Sequence, residues 1–227
     1  MRWIFATAIS VLVLTATVSP LLAVDFRGGD DAGVLWDGCK SRTASAKIII
    51  QRCAWGLKSG LGVSNDGTHM DIIANALYRM AVSYRRIGNL ELAGRHFDLA
   101  IQTISQAIAS SPNAELRKGR CWFRAVQNTD LNGAFADCDA ALALDSGNAT
   151  IVEYRGFALY RLGRYQEALS DYNAALAARS GNPDALFVRG IIKKKLGDIV
   201  GGDSDITEAK RDNSDIEQIY LDYGVQD

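Results

Sequence analysis

Catalysis or metal binding needs a nucleophile, an acid–base pair or a ligand cluster gathered in one place, and this sequence offers few residues for such work. It contains two histidines. His69 falls in a polar, glycine-rich stretch and His96 on the outer side of a helical segment, and neither stands at ligand spacing from a second ligand-type residue. Both read as surface residues. Asp203 and Asp205 open like a calcium loop, yet Glu208 takes the place that requires glycine and Ser214 the place that requires a bidentate carboxylate. Residues 60–65 begin like a phosphate-binding Gly-x-Gly-x-x-Gly, but Asn65 replaces the third glycine and no strand precedes it. We therefore expect no catalytic, cofactor-binding or metal-binding residues, and a chain that is not an enzyme.

Cysteine is the remaining reactive type, and its chemistry depends on compartment. The chain opens with Met1-Arg2-Trp3, continues through an uncharged apolar run from Ile4 to Val18, and reaches Leu21-Leu22-Ala23. A positive start, an apolar core and a small residue at the end describe a secretory signal peptide over 1–23, cleaved after Ala23. The alternative is an uncleaved anchor over 4–24, which would tie the protein to the inner membrane. Either way the rest is expected to be periplasmic or secreted. All four cysteines, Cys39, Cys53, Cys121 and Cys138, lie beyond residue 23, and an even number in an oxidising compartment favours disulfides. Four cysteines allow three pairings. The local one, Cys39 with Cys53 and Cys121 with Cys138, is preferred; buried free thiols are the alternative for the second pair.

The elements that must position these residues repeat. In residues 149–182, counted 1 to 34 from Ala149, Gly156 and Leu159 stand at 8 and 11, Gly163 at 15, Tyr165 at 17, Ala168 at 20, Tyr172 at 24 and Ala175 at 27. Small residues at 8, 20 and 27 let two helices approach; larger ones fill the seam, and glycine at 15 ends the first helix. The spacing resembles the tetratricopeptide repeat, whose period is 34 residues. The resemblance implies an all-α fold, a right-handed α-solenoid of helix hairpins with capping helices at both ends, used as a binding scaffold. It continues into a likeness to exported bacterial proteins of this family, carried by the Cys39/Cys53 pair, Cys121-Trp122, Asp137 to Leu142, Arg155-Gly156, Arg189-Gly190, Gly201 to Asp203 and Tyr223-Gly224.

On this template residues 24–42 are a leader without helical period, and 43–73 an N-terminal capping helix and loop. Four repeats fill 74–216, namely 74–114, 115–148, 149–182 and 183–216, and 214–224 is a C-terminal capping helix with Ile216, Ile219, Tyr220 and Tyr223 as its apolar stripe. The first repeat carries seven extra residues at helical apolar spacing, so its second helix should be longer by about 10 Å. The second repeat departs from the pattern, with Trp122 at 8 and Thr129 at 15. Position 23 holds Asp137, Asp171 and Asp205, and position 7 holds Arg155 and Arg189. Each Asp is expected to pair with the Arg of the following repeat, Asp137 with Arg155 and Asp171 with Arg189; independent solvation is the alternative.

The fold implies that positions 2, 5, 9, 12 and 13 of each first helix line the inner face. They include Tyr78, Val82, Arg85 and Arg86; Phe123 and Val126; Phe157, Tyr160 and Arg161; and Phe187, Ile191, Lys194 and Lys195. Rings alternating with cations suit an extended peptide or protein tail with apolar and acidic groups. The partner is thus a protein or peptide of unknown identity, with membrane contact only if the signal segment stays. The Lys, Asn and Arg set of carboxylate-clamp repeats is not reproduced, and a net charge of −1 gives no general pull toward nucleic acid. The alternatives are an accessory subunit of an envelope enzyme and a homo-oligomeric structural protein.

Overall fold

A computed structural model describes Cys39, residues 44–58 and residues 70–225. The signal-like segment 1–23, the leader apart from Cys39, and the stretch with Gly60, Gly62 and His69 lie outside the described residues. Among those described there are helices and no strands: α1 (Ala46–Lys58), α2 (Met70–Arg86), α3 (Leu90–Ser110), α4 (Ala114–Gln127), α5 (Leu131–Leu144), α6 (Ala149–Arg161), α7 (Tyr165–Ala178), α8 (Pro183–Lys195), α9 (Ile199–Asp212) and α10 (Ile216–Asp222). The helices α2/α3, α4/α5, α6/α7 and α8/α9 form four hairpins, each second helix packs on the first helix that follows, and α4, α6 and α8 touch in series. Helix α1 covers α2. This is an α-solenoid, in which each hairpin contacts its neighbours.

Local chemistry sets the helix ends. Asn113, Asn148 and Asn182 precede the first helices of three hairpins, and each side-chain oxygen accepts from a backbone N–H of the first turn. Asp130 and Asp198 do the same for α5 and α9. Helix α3 has 21 residues, against 14 in each of α5, α7 and α9, and the difference is the seven-residue insertion.

The second hairpin corrects the sequence register. Helix α4 starts at Ala114, one residue before the expected boundary, which places Arg120 at 7, Cys121 at 8, Trp122 at 9 and Asn128 at 15. Asn128 is left-handed, φ 65°, as are Gly88, Gly163 and Gly197 at the same place in the other hairpins. Asp130, φ 42°, is the extra residue that returns the second helix to register. One slip thus accounts for both departures read from the sequence.

Positions 8 and 24 face each other within a hairpin. A Cβ on Gly156 would lie 3.1 Å from the Tyr172 ring, and one on Gly190 would lie 2.7 Å from Ile206 Cγ1. In the second hairpin the two places hold Cys121 and Cys138, which are bonded, with Cα atoms 5.5 Å apart. Cys39 and Cys53 are also bonded, Cα to Cα 4.8 Å, attaching the leader to α1. Closing loops of this length stabilises by about 3 kcal/mol in the chain-entropy view.

The buried aspartates pair within their own hairpins, which corrects the expectation of pairs with the following repeat. Arg155 forks onto Asp171 through two bonds of 2.8 Å, and Arg189 onto Asp205 at 2.7 and 2.8 Å. Arg120 does the same to Asp137 at 2.8 and 2.6 Å, with Arg124 adding a bond of 2.6 Å. Positions 7 and 23 lie opposite each other across one hairpin, so the Asp is met there first. The spare nitrogen of each fork reaches back to the preceding hairpin, from Arg155 to Asp139 (2.9 Å), Arg189 to Asn173 (3.2 Å) and Arg120 to Ser105 (3.1 Å). Repeat stacking therefore runs through these bonds.

Candidate functional site

The first helices α4, α6 and α8 touch in series and so form a common wall, the one expected from the repeat to face inward. Helix α10 and the residues after it lie on this wall. The sequence suggested a cap stacked on the last hairpin; instead α10 contacts α2 and α8 as well as α9. Its aromatic and acidic residues find rings and guanidinium groups there. Tyr220 stacks on Phe187 (5.2 Å between centroids) and meets Phe157 edge-on (6.1 Å). Tyr223 meets Trp122 edge-on at 5.4 Å. Ile216, Ile219, Tyr220, Asp222 and Val225 are all buried.

Three cations hold the tail. Arg86 binds the buried Asp222 carboxylate at 2.5 Å, and its Nη1 donates to the Ala44 carbonyl at 3.4 Å. Arg85 Nη1 donates to the carbonyls of Val126 (3.0 Å) and Asp222 (3.4 Å). Arg161 donates to the Gly224 carbonyl (2.9 Å) and to that of Tyr223. Arg85 also lies over the Phe97 ring and Arg161 over Phe157, at 4.6 and 5.1 Å. Burial lowers the pKa of both; for Arg161 the nearby Arg85 charge lowers it further.

The other expected wall residues divide. Val82 flanks a small crevice left between α1, α2 and α10, beside Ile49, Arg86 and Ile219. Tyr78 is buried, stacks on Phe123 (4.7 Å) and accepts a hydrogen bond from Trp122 Nε1 at 2.8 Å. Burial raises the Tyr78 and Tyr220 pKa values well above the ordinary phenol range. Phe123, Val126 and Ile191 belong to the core, and Tyr160 packs near Phe157 (5.9 Å). Lys194 pairs with Asp203 at 3.4 Å on α9, and Lys195 is exposed. Two corrections follow. The register slip puts Trp122, not Phe123, in the row that meets the tail. The five cations do not act alike: Arg85, Arg86 and Arg161 converge on the described residues of the tail, while Lys194 meets Asp203 on α9.

Sequence reading missed Trp122 and Asp222. The first was recoverable from Arg120 and Asp137, which repeat the Arg/Asp pattern of the later units only if the helix is counted from Ala114. The second was recoverable from complementarity, because the segment after the last repeat carries the aromatic and acidic groups that the wall suits. Among the described residues no group of His, Cys, Asp and Glu is arranged to hold a metal ion, and no helix is long and apolar enough to cross a membrane.

Family models of the tetratricopeptide repeat match residues 85–149 and 149–182. No curated protein matches the chain. Similar solved structures include MamA from Desulfovibrio magneticus RS-1, residues 41 to its end, at 13% identity, covering 84% of this chain and 97% of that one with a TM-score of 0.46. MamA MSR-1 C2 is 15% identical over 71% of this chain and 90% of its own, with a TM-score of 0.46. A tetratricopeptide repeat protein from Parabacteroides merdae ATCC 43184 is 23% identical over 66% and 57%, with a TM-score of 0.41. With the repeat matched from 85 to 182 and four hairpins stacked in series, the chain belongs to the tetratricopeptide-repeat family and is a protein–protein interaction scaffold.

Proposed function

We propose that this scaffold is non-catalytic, works outside the cytoplasm, and holds an extended protein segment with aromatic and acidic groups against the wall of first helices. One observation carries the reading: a stretch with such aromatic and acidic groups, the chain's own residues 216–225 with helix α10, already lies there. Its rings sit on Trp122, Phe157 and Phe187, and its Asp222 is bound to Arg86. Arg161 takes main-chain carbonyls, a contact that any extended segment can supply. Placement outside the cytoplasm is supported by the signal-like N-terminus and by two bonded cysteine pairs.

The test uses the chain ended at Asn213, with its helicity checked by circular dichroism, and a fluorescein-labelled peptide of residues 214–227. Anisotropy should show saturable binding, weakened about tenfold or more by Arg161→Ala, since hydrogen bonds to a charged donor contribute about 1.5–3 kcal/mol each. A folded truncated chain that leaves the peptide free removes the reading.

A further inference from the structure

The tail is an incomplete occupant of its own site. Arg85, Arg86 and Arg161 converge on it, yet among the described tail residues beyond α9 only Asp222 brings a carboxylate to them, and that carboxylate is bound by Arg86. Arg85 and Arg161 are met by main-chain carbonyls. Arg161 Nε is buried without a hydrogen-bond partner. A buried guanidinium is satisfied best by a carboxylate, which accepts two parallel bonds. No described residue of the tail brings a carboxylate to that Nε. Gly224 lies between the two cations: a Cβ built there would be 3.4 Å from Arg85 Nη1 and 3.7 Å from Arg161 Nη2. Its φ of +76° is one that Asp tolerates better than most residues.

We propose that residues 216–225 are a displaceable plug, and that the protein segment which displaces them carries a carboxylate where the plug carries Gly224, between Arg85 and Arg161. This rests on the wall of first helices being the binding site. The plug then has two effects. It keeps the aromatic wall covered, and it sets a threshold, because a tethered segment competes at an effective concentration in the millimolar range. Only a segment that binds better than the plug enters, and the added carboxylate is the difference.

The experiment uses the full disulfide-bonded chain and two fluorescein-labelled peptides of residues 214–227, one natural and one with Gly224→Asp. The Asp peptide should bind wild type at least about tenfold more tightly than the natural one, and hydrogen exchange in residues 216–225 of the chain should rise as it binds. Tyr223→Ala in the chain removes a ring contact of the plug and should strengthen binding of both peptides. Gly224→Asp in the chain should lock the plug and weaken both. Equal affinity of the two peptides for the Tyr223→Ala chain overturns the carboxylate claim while leaving the wall as a binding site. A plug that stays protected in the Tyr223→Ala chain, with neither peptide bound, overturns displacement. A plug that exchanges freely there, with neither peptide bound, removes the binding site itself. Self-association of the Tyr223→Ala chain that either peptide reverses would make a second copy's tail the partner and overturn a foreign one.

Discussion

At the scale of single residues, the repeated buried carboxylates are paired across helices. Asp137, Asp171 and Asp205 are buried and each is held by at least one guanidinium of its own hairpin. Burial works against the Asp205 charge, but Arg189 and Lys193 outweigh it and hold its pKa below 3.8. The stability it contributes is present above that value and is lost as pH falls through the lower folded one. His96 occupies the equivalent place in the first hairpin, which has no Arg at position 7. Its ring lies 4.9 Å from that of Tyr84, its Nδ1 is 2.7 Å from the Leu92 carbonyl, and burial lowers its pKa from 6.5. A histidine kept neutral in the fold contributes stability above pH 6.5, lost as pH falls through its folded pKa. Thermal unfolding of wild type should therefore move to lower temperature between pH 7 and pH 5, and His96→Gln should flatten that slope. An unchanged slope would place the titration elsewhere.

At the scale of helices, small residues decide how closely a hairpin closes. A Cβ on Gly190 would lie 2.7 Å from the Gly202 carbonyl oxygen, and one on Gly202 would lie 2.6 Å from the Gly190 carbonyl oxygen. The backbones of α8 and α9 touch here, so Gly202 has a packing reason, whereas a Cβ on Gly201 would meet the capping carboxylate of Asp198. Gly94 in α3 has nothing within 4 Å of the corresponding point. Gly190→Ala should cost about 1–3 kcal/mol by overpacking, whereas Gly94→Ala should stabilise by roughly 0.5–1 kcal/mol through helix propensity. Urea unfolding of the two variants reads both signs. Two losses of equal size would mean that the close approach is not what glycine serves. Helix period and turn chemistry made most elements legible in the sequence, including the long α3. The single-residue slip in α4 was not legible from spacing, since one added residue in the turn at Asp130 restores the 34-residue period and hides the shift before it.

At the scale of the molecule, a solenoid is a chain of nearest-neighbour contacts, and α10 breaks that rule by touching both α2 and α8. It makes the two ends of the array depend on each other. Asp222→Ala would strip Arg86 of its carboxylate and cost about 1–3 kcal/mol. Hydrogen exchange should then rise together in α2 and α8, although they lie in the first and last hairpins. A rise confined to α8 and α9 would show that the tail belongs to the final hairpin alone. The same contact explains why the inner wall was only partly legible. Its ring and guanidinium composition could be read from positions 9, 12 and 13, but what lies against it could not.

Sequence alone determined the repeat and its all-helical hairpin fold. These follow from local spacing and from contacts within one or two repeats. Tertiary structure decided three things that spacing left open: that Asp137, Asp171 and Asp205 pair inside their hairpins, that Trp122 meets the tail, and that the last helix folds back onto the wall. Each depends on how side chains of different helices meet, from 16 residues apart for Arg155 and Asp171 to 136 for Arg86 and Asp222; a shift of one residue turns a side chain by about 100° around its helix, and periodicity carries no record of that facing.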